Sequence, residues 1–202
     1  MSIKEPNLNV ITLDRTATHR AAVLLGRGMA DNPVHVAVYR GGDEHRARCH
    51  ARLTRTLLTT SALDIEGVEQ AGELIGVAAS AAPGRCQPYP PARLRLLATA
   101  STLGVPILSR LLEWNRTWAR HDPTEPHVHL GPVSVDRHLR GRGIGSLLLL
   151  RHVARLDAIG AVGYLETDRP EAVGFYNRFD YAVIGEADVL GVPTWFMRRP
   201  AG

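Results

Sequence analysis

A glycine-rich stretch in the second half of the chain constrains the fold more than any other feature. Residues 131–135 are typical of a strand, and residues 141–145 contain three glycines just before an apolar helix that begins near Ser146. Such a turn leaves backbone amides unpaired at the positive end of the helix dipole, where they bind phosphate. Arg140 and Arg142 add positive charge, so we expect a pyrophosphate or a similarly charged ligand.

Two common phosphate-binding turns fit this stretch poorly. A Walker A loop ends in Gly-Lys-Ser or Gly-Lys-Thr, and the chain contains neither triplet, which argues against an NTPase. A dinucleotide-binding turn started at Gly141 is matched at Gly143 but has Ser146 in place of its third glycine. Glu166 stands near the position of a ribose-binding acid, but too little chain follows for the remaining βα units of that fold.

The turn does follow the pattern of one other phosphate-binding loop. Arg140, Gly143 and Gly145 fill the sequence Gln or Arg, two residues, Gly, one residue, Gly or Ala. In this respect the turn resembles the pyrophosphate-binding loop of the GNAT N-acetyltransferase superfamily.

A second motif strengthens this resemblance. Phe175 and Tyr176 are similar to the aromatic residues that the family carries in a later helix, in the same order and at the same spacing. Residues 164–167 and 193–199 also resemble members related to puromycin N-acetyltransferase. The resemblance covers residues from about 127 to 199.

The resemblance implies the α/β (α+β) GNAT fold, in which a mixed central sheet of about six to seven strands is flanked by helices and splays between its central strands. We expect a single domain over residues 1–202, with an acceptor-side part of about 1–126 and an acetyl-CoA-binding core of about 127–199. Periodicity predicts strands at 8–13, 34–38, 61–68, 73–80, 127–135, 163–167, 181–185 and 191–198, of which 34–38 could equally be an ordered loop. It predicts helices at 18–29, 43–59 and 144–158, two more within 93–120, and one that begins at about 169.

The resemblance also implies a site for acetyl-CoA as cosubstrate. In the family the strand before the glycine turn, here residues 127–135, receives the pantetheine arm through its backbone. The residues concerned are Val133, Ser134 and Val135. Pro132 fits a strand that is not fully paired, because proline has no backbone N–H to donate to a neighbouring strand. The glycine turn would bind the pyrophosphate through Arg140, Gly141, Arg142, Gly143, Ile144, Gly145 and Ser146.

Three groups are candidates for the chemistry that the resemblance implies. Tyr176 matches the family tyrosine that contacts the cosubstrate and protonates the departing thiolate, and a phenol is protonated at neutral pH. Glu166 is the first candidate for removing a proton from the amine, His129 is the second, and an ordered water chain is a further alternative. Ala172 and Asp180 depart from the family pattern, and Asp180 stands where a residue tolerant of a left-handed corner is usual.

The acceptor would bind beside the N-terminal helices, which wall the acceptor pocket in the family. His35 and Tyr39 then lie where the choice of substrate would partly be made. Trp114 and Trp118 are four residues apart and share a helix face. A packed pair is the favoured role for these two rings, and an aromatic pocket wall is the alternative.

The implied activity is acetyl-CoA-dependent N-acetylation of a primary amine by direct attack in a ternary complex. The favoured acceptor is a small molecule rather than a protein N-terminus or lysine. The alternative is a non-catalytic acetyl-CoA-binding module that senses the cofactor or pairs with a partner protein. A nucleic-acid binder is disfavoured because arginine is spread along the chain and forms no long basic run, although the net charge is +4.

Composition adds further expectations. The chain has 202 residues, of which 45% are hydrophobic, and no apolar stretch long enough to span a bilayer. We therefore expect a cytoplasmic monomer or homodimer that binds neither nucleic acid nor membrane. Cys49 and Cys86 lack metal-like spacing, and Cys49 is expected to be a buried thiol. His127 and His129 share a strand face without a third ligand at a supporting spacing, so we expect no metal.

Overall fold

The computed structural model describes residues 8–202 and forms seven strands and seven α-helices within that range. The strands are β1 (Asn9–Thr12), β2 (Leu63–Gln70), β3 (Glu73–Ala81), β4 (His127–Val135), β5 (Val162–Thr167), β6 (Ala182–Val189) and β7 (Val192–Arg199). The helices are α1 (Thr18–Gly28), α2 (Pro33–Tyr39), α3 (Asp43–Thr60), α4 (Pro90–Ser101), α5 (Val105–His121), α6 (Ile144–Ile159) and α7 (Pro170–Asn177). None of these helices is long and apolar enough to cross a membrane.

The strands form one mixed sheet in the order β1-β2-β3-β4-β5-β7-β6. Strands β4 and β5 run parallel, and every other neighbouring pair is antiparallel. A parallel pair needs a crossover connection, and α6 supplies it between β4 and β5. The predicted mixed sheet of six to seven strands flanked by helices is therefore confirmed.

Apolar helix faces pack against the sheet in separate clusters. Leu148, Leu149 and Leu156 of α6 are almost fully buried and belong to one cluster with residues of β2 to β5 and β7. Leu24 and Leu25 of α1 belong to a second cluster with residues of α3, β2 and β3. Burial of apolar surface by these layers is the main source of stability for such a fold.

The segment 34–38 is helical, so the prediction of a short strand or ordered loop there is wrong. The Val36 amide donates to the Asn32 carbonyl at 2.9 Å, and Pro33 occupies the first turn, where its fixed φ favours a helix. Val34 and Val38 lie one turn apart and are buried, whereas Val36 is 40% exposed. Over so short a segment, valines at every second position fit both the two-residue period of a strand and the 3.6-residue period of a helix. Packing against α3 and α5 favours the helix.

Several corners adopt the left-handed conformation. The β2–β3 hairpin turns on Ala71 and Gly72, with φ of 52° and 84°, so its loop has two residues instead of the four expected. Gly160 ends α6 with φ of 58°. Asp180 has φ of 64°, which confirms the left-handed corner expected there.

Strands β4 and β5 separate after three residue pairs. Residues 127–129 pair with 162–164, whereas among the described strands residues 130 and 133–135 pair only with β3 and residues 165–167 only with β7. Strand β4 also changes register opposite β3 around Gly131 and Pro132. The resulting gap between the two central strands is the splay that the sequence analysis predicted.

Candidate active site

The glycine turn lies at the N-terminus of α6, beside the gap. Gly141 and Gly143 have φ of 78° and 82°, and no side chain caps the helix. The Leu147 amide donates to the Gly143 carbonyl at 3.1 Å, but no amide of residues 141–146 donates a hydrogen bond to any part of 8–202. These amides are therefore available to an anion at the positive end of the α6 dipole.

Arg140 contacts the protein itself. Its guanidinium donates to Asp31 Oδ2 at 2.9 Å and to the Gly28 carbonyl, which ties the turn to the end of α1. Arg169 and Arg137 also approach Asp31, at 2.9 Å and 3.6 Å. Partial burial alone would raise the pKa of Asp31, but these guanidinium groups hold it well below its usual range. Asp31 is therefore ionised at neutral pH.

A cavity of about 920 Å³ connects the glycine turn with the gap and with helices α2, α3 and α5. The predicted site residues that line it are Val133, Ser134, Val135, Arg140, Gly141, Gly143, Ile144, Gly145, Ser146, Glu166 and Tyr176. Arg142 is exposed and does not border the cavity. The fold thus brings all but one of the predicted site residues to a single cavity.

The C-terminal end of α1 approaches this part of β4 very closely. A Cβ atom on Gly28 would lie 1.9 Å from Ser134 Oγ and 3.1 Å from the Val135 carbonyl oxygen. Any larger residue would therefore have to displace the Ser134 side chain or the strand. The absence of a side chain at Gly28 sets the distance between α1 and the β4 segment at the gap.

Tyr176 lies on α7 and borders the cavity. Its ring meets Phe175 edge-on, with centroids 5.2 Å apart, and no hydroxyl hydrogen bond forms with residues 8–202. Burial, with a smaller contribution from the Asp168 carboxylate, raises the pKa of Tyr176 to about 12. The phenol is therefore protonated at neutral pH and can donate its proton to a group in the cavity.

The two candidates for the base form one pair. His129 Nε2 lies 2.8 Å from Glu166 Oε2, and the two side chains are 19% and 4% exposed. Burial opposes charging of the imidazole, but the Glu166 carboxylate and Cys86 outweigh it and raise the pKa of His129 to about 10. A charged ring then holds the Glu166 carboxylate by a charge-assisted hydrogen bond at the edge of the cavity.

Aromatic rings line the part of the cavity formed by α2, α3 and α5. They belong to His35, His50, Trp114 and Trp118, and Trp114 meets both His35 and Trp118 edge-on at 5.2 Å and 5.0 Å. Within residues 8–202, both His35 nitrogens, His50 Nε2 and both indole nitrogens are buried without a hydrogen-bond partner. Burial lowers the pKa of His50 to about 4 and that of His35 as well, so both rings are neutral. The tryptophans are thus a packed pair and a cavity wall at once.

Two carboxylates that sequence analysis did not identify hold the site together. Asp168 follows β5 and accepts a hydrogen bond from the Val34 amide at 2.7 Å, across 134 positions of sequence. Asp31 binds Arg140 across 109 positions. No local sequence pattern reveals such distant partners.

The chain belongs to the acetyltransferase (GNAT) family, because the sequence model of that family matches residues 44–181. Members of this family are transferases that use acetyl-CoA. The family relationship agrees with the mixed sheet, the splay and the free amides.

Solved structures of acetyltransferases share the fold over nearly the whole chain. A histone acetyltransferase HPA2 and related acetyltransferase from Corynebacterium glutamicum superposes with a TM-score of 0.74 at 21% identity, covering 96% of this chain and 97% of that one. The ribosomal-protein-S18-alanine N-acetyltransferase from Escherichia coli gives 0.56 at 13% identity, with coverage of 97% and 95%. Naa20 from Chaetomium thermophilum, in complex with a bisubstrate analogue, gives 0.52 at 16% identity, with coverage of 96% and 86%. At these identities the likeness establishes the fold.

Proposed function

We propose that the protein is an acetyl-CoA-dependent N-acetyltransferase that acts on a primary amine of a small molecule by direct attack in a ternary complex. One observation carries the proposal: a single cavity joins the unpaired amides of residues 141–146 to the Tyr176 hydroxyl and to the His129–Glu166 pair. A site for a charged group and a site for proton transfer are thus open to the same bound molecule.

The residues of the cavity fit a coenzyme A thioester. The free amides of the turn supply several donors in one concave surface, which suits a diphosphate. The unpaired side of β4 at Val133, Ser134 and Val135 borders the gap and can receive an extended polar chain as an added strand would be received. A cavity of about 920 Å³ is also large enough for a cosubstrate and a small acceptor together.

In the reaction, the amine nitrogen attacks the thioester carbonyl, and the acetyl group passes to nitrogen while coenzyme A leaves as a thiol. Glu166 accepts the proton that the amine gives up, and His129 fixes the orientation of the carboxylate. Tyr176 donates its proton to the departing sulfur. The cavity holds both reactants in a fixed relative orientation, and in such sites orientation lowers the activation free energy by several kcal/mol.

The aromatic end of the cavity favours a small acceptor with an apolar body. His35 and His50 are neutral, and the rings of Trp114 and Trp118 offer flat apolar surface. The unpartnered indole N–H groups are donors, so an acceptor with hydrogen-bond acceptor atoms would satisfy them. The resemblance of residues 193–199 to relatives of puromycin N-acetyltransferase also supports a small molecule.

A screen of amines with thiol release as the readout tests this proposal. The panel contains arylalkylamines, aminoacyl amides, aminoglycosides and peptides with free N-termini, and calorimetry with acetyl-CoA runs beside it. We expect acetyl-CoA to bind and an aromatic small amine to give the fastest turnover. Binding without turnover by any amine would favour the non-catalytic module, and faster turnover of peptides would replace the small-molecule acceptor with a protein N-terminus.

A further inference from the structure

A group of possible metal ligands lies at the acceptor side of the cavity, beside the His129–Glu166 pair. Cys86 lies in the loop between β3 and α4, Asp122 directly follows α5, and His127 begins β4. One ligand atom from each lies within 4.8 Å of the others. His127 Nε2 is 3.0 Å from Cys86 Sγ and 3.1 Å from Asp122 Oδ1. Three separate segments thus converge on one point.

The hydrogen bonding of His127 fixes which nitrogen faces the group. Its Nδ1 lies 2.8 Å from the Glu125 carbonyl oxygen, which can only accept, so Nδ1 carries the proton. In the neutral ring Nε2 is then a lone pair directed at Cys86 and Asp122. An imidazole held by an Nδ1–H···O=C bond with a free Nε2 is the usual arrangement of a metal-ligating histidine.

The buried carboxylate of Asp122 is a second observation that points to a cation ligand. Its Oδ1 is buried and has no hydrogen-bond partner within residues 8–202, although it lies 3.1 Å from His127 Nε2. When the imidazole is neutral, with its proton on Nδ1, these two atoms present lone pairs to each other, which is unfavourable in a buried place unless a proton or a cation lies between them. A cation between them would turn this repulsion into two coordinate bonds.

We propose that Cys86, Asp122 and His127 form a binding site for a thiophilic divalent cation, with Zn²⁺ as the best-suited ion. One thiolate, one imidazole and one carboxylate are a ligand set that zinc accepts, whereas Mg²⁺ and Ca²⁺ prefer oxygen alone. The thiol releases its proton to solvent on binding, so the ligands contribute two negative charges that the ion balances.

The site has an open position next to the acceptor. Three protein ligands leave the fourth corner of a zinc tetrahedron vacant, and Cys86 and Asp122 both line the cavity. A solvent molecule or a donor atom of a bound acceptor can therefore complete the coordination. The expectation that the chain binds no metal rested on spacing along the sequence, and the two further ligands come from loops that spacing does not relate to His127.

Metal binding to the chelator-treated 202-residue protein tests the proposal without any acetyl transfer. Calorimetry with Zn²⁺ should show about one ion per chain. Titration with Co²⁺ should produce intense visible d–d bands of a tetrahedral complex together with a near-ultraviolet thiolate charge-transfer band. Zn²⁺ should also raise the melting temperature, because an ion that binds only the folded state stabilises it.

Three variants show whether these residues hold the ion. Cys86→Ser should remove the charge-transfer band, and Cys86→Ser and Asp122→Asn should each weaken Zn²⁺ binding at least tenfold. Cys49→Ser is the matched control: Cys49 Sγ also lies beside an imidazole, at 3.5 Å from His45 Nε2, but without the carboxylate, and its loss should leave binding unchanged. Absence of binding by the parent protein, or binding that survives in both Cys86→Ser and Asp122→Asn with their folds intact, would overturn the proposal.

Discussion

Replacement of Tyr176 by phenylalanine removes one oxygen and nothing else. The hydroxyl has no hydrogen bond with residues 8–202, so its loss leaves no buried partner unsatisfied and the free energy of unfolding should change by less than about 0.5 kcal/mol. Because the pKa of about 12 keeps the phenol protonated, it can act as an acid in the reaction throughout the neutral range. Loss of a general acid slows transfer by about 10²- to 10⁴-fold, or about 3 to 5 kcal/mol in activation free energy.

Steady-state thiol release with the best amine of the screen measures this effect. We expect kcat to fall by that factor in Tyr176→Phe while the Kd for acetyl-CoA from calorimetry stays within about twofold. Tyr89→Phe is the control, because Tyr89 is 47% exposed and outside the cavity lining, and its kcat should match the parent. A kcat in Tyr176→Phe within about threefold of the parent would show that the phenol is not the acid.

Three further variants probe other parts of the structure. Glu166→Gln should lower kcat by about 100-fold with little change in acetyl-CoA affinity, and an unchanged kcat would assign proton removal to another group. Gly28→Ala should cost about 1–3 kcal/mol in urea denaturation because of its 1.9 Å approach to Ser134 Oγ, and adding Ser134→Ala should restore part of that loss. Burial, helped by nearby arginines, lowers the pKa of His152 from 6.5 to about 4. As pH falls, the unfolded chain therefore takes up a proton at this histidine before the folded chain does. The free energy of unfolding is unaffected by this group above about pH 6.5 and decreases between about pH 6.5 and 4. His152→Gln should therefore lose about 2 kcal/mol less than the parent between about pH 7.5 and about pH 5, and equal losses would contradict the assignment.

The features that the sequence could predict are those encoded locally. Alternating glycines before an apolar helix are enough to predict the turn at residues 141–145. The distance between that turn and Tyr176 follows from the lengths of one helix and one strand. The splay was predictable through the resemblance, with Pro132 as the local sign. These parts needed no knowledge of distant contacts.

The remaining parts depend on contacts between distant segments. The helical state of residues 33–39 is decided by burial of Val34 and Val38 against α3 and α5, which the sequence of that segment does not contain. Cys86, Asp122 and His127 likewise lie in three separate loops or strand ends, and their convergence follows only from the order of the strands. The sequence therefore predicted residues at the glycine-turn side of the cavity and left the roles of those at its aromatic side open.

Charge at the glycine turn shows how such distant contacts alter a local interpretation. Arg140 and Arg142 were expected to add positive charge for a pyrophosphate, but Arg140 is paired with Asp31, and Arg142 lies outside the cavity. Arg137 is likewise paired with Asp43 at 2.7 Å. Since an exposed ion pair leaves little net field at a distance, the proposed attraction for a diphosphate at this corner has to come mainly from the oriented amides of residues 141–146. The role left to Arg140 is to hold that turn against the end of α1, so that the amides keep one geometry.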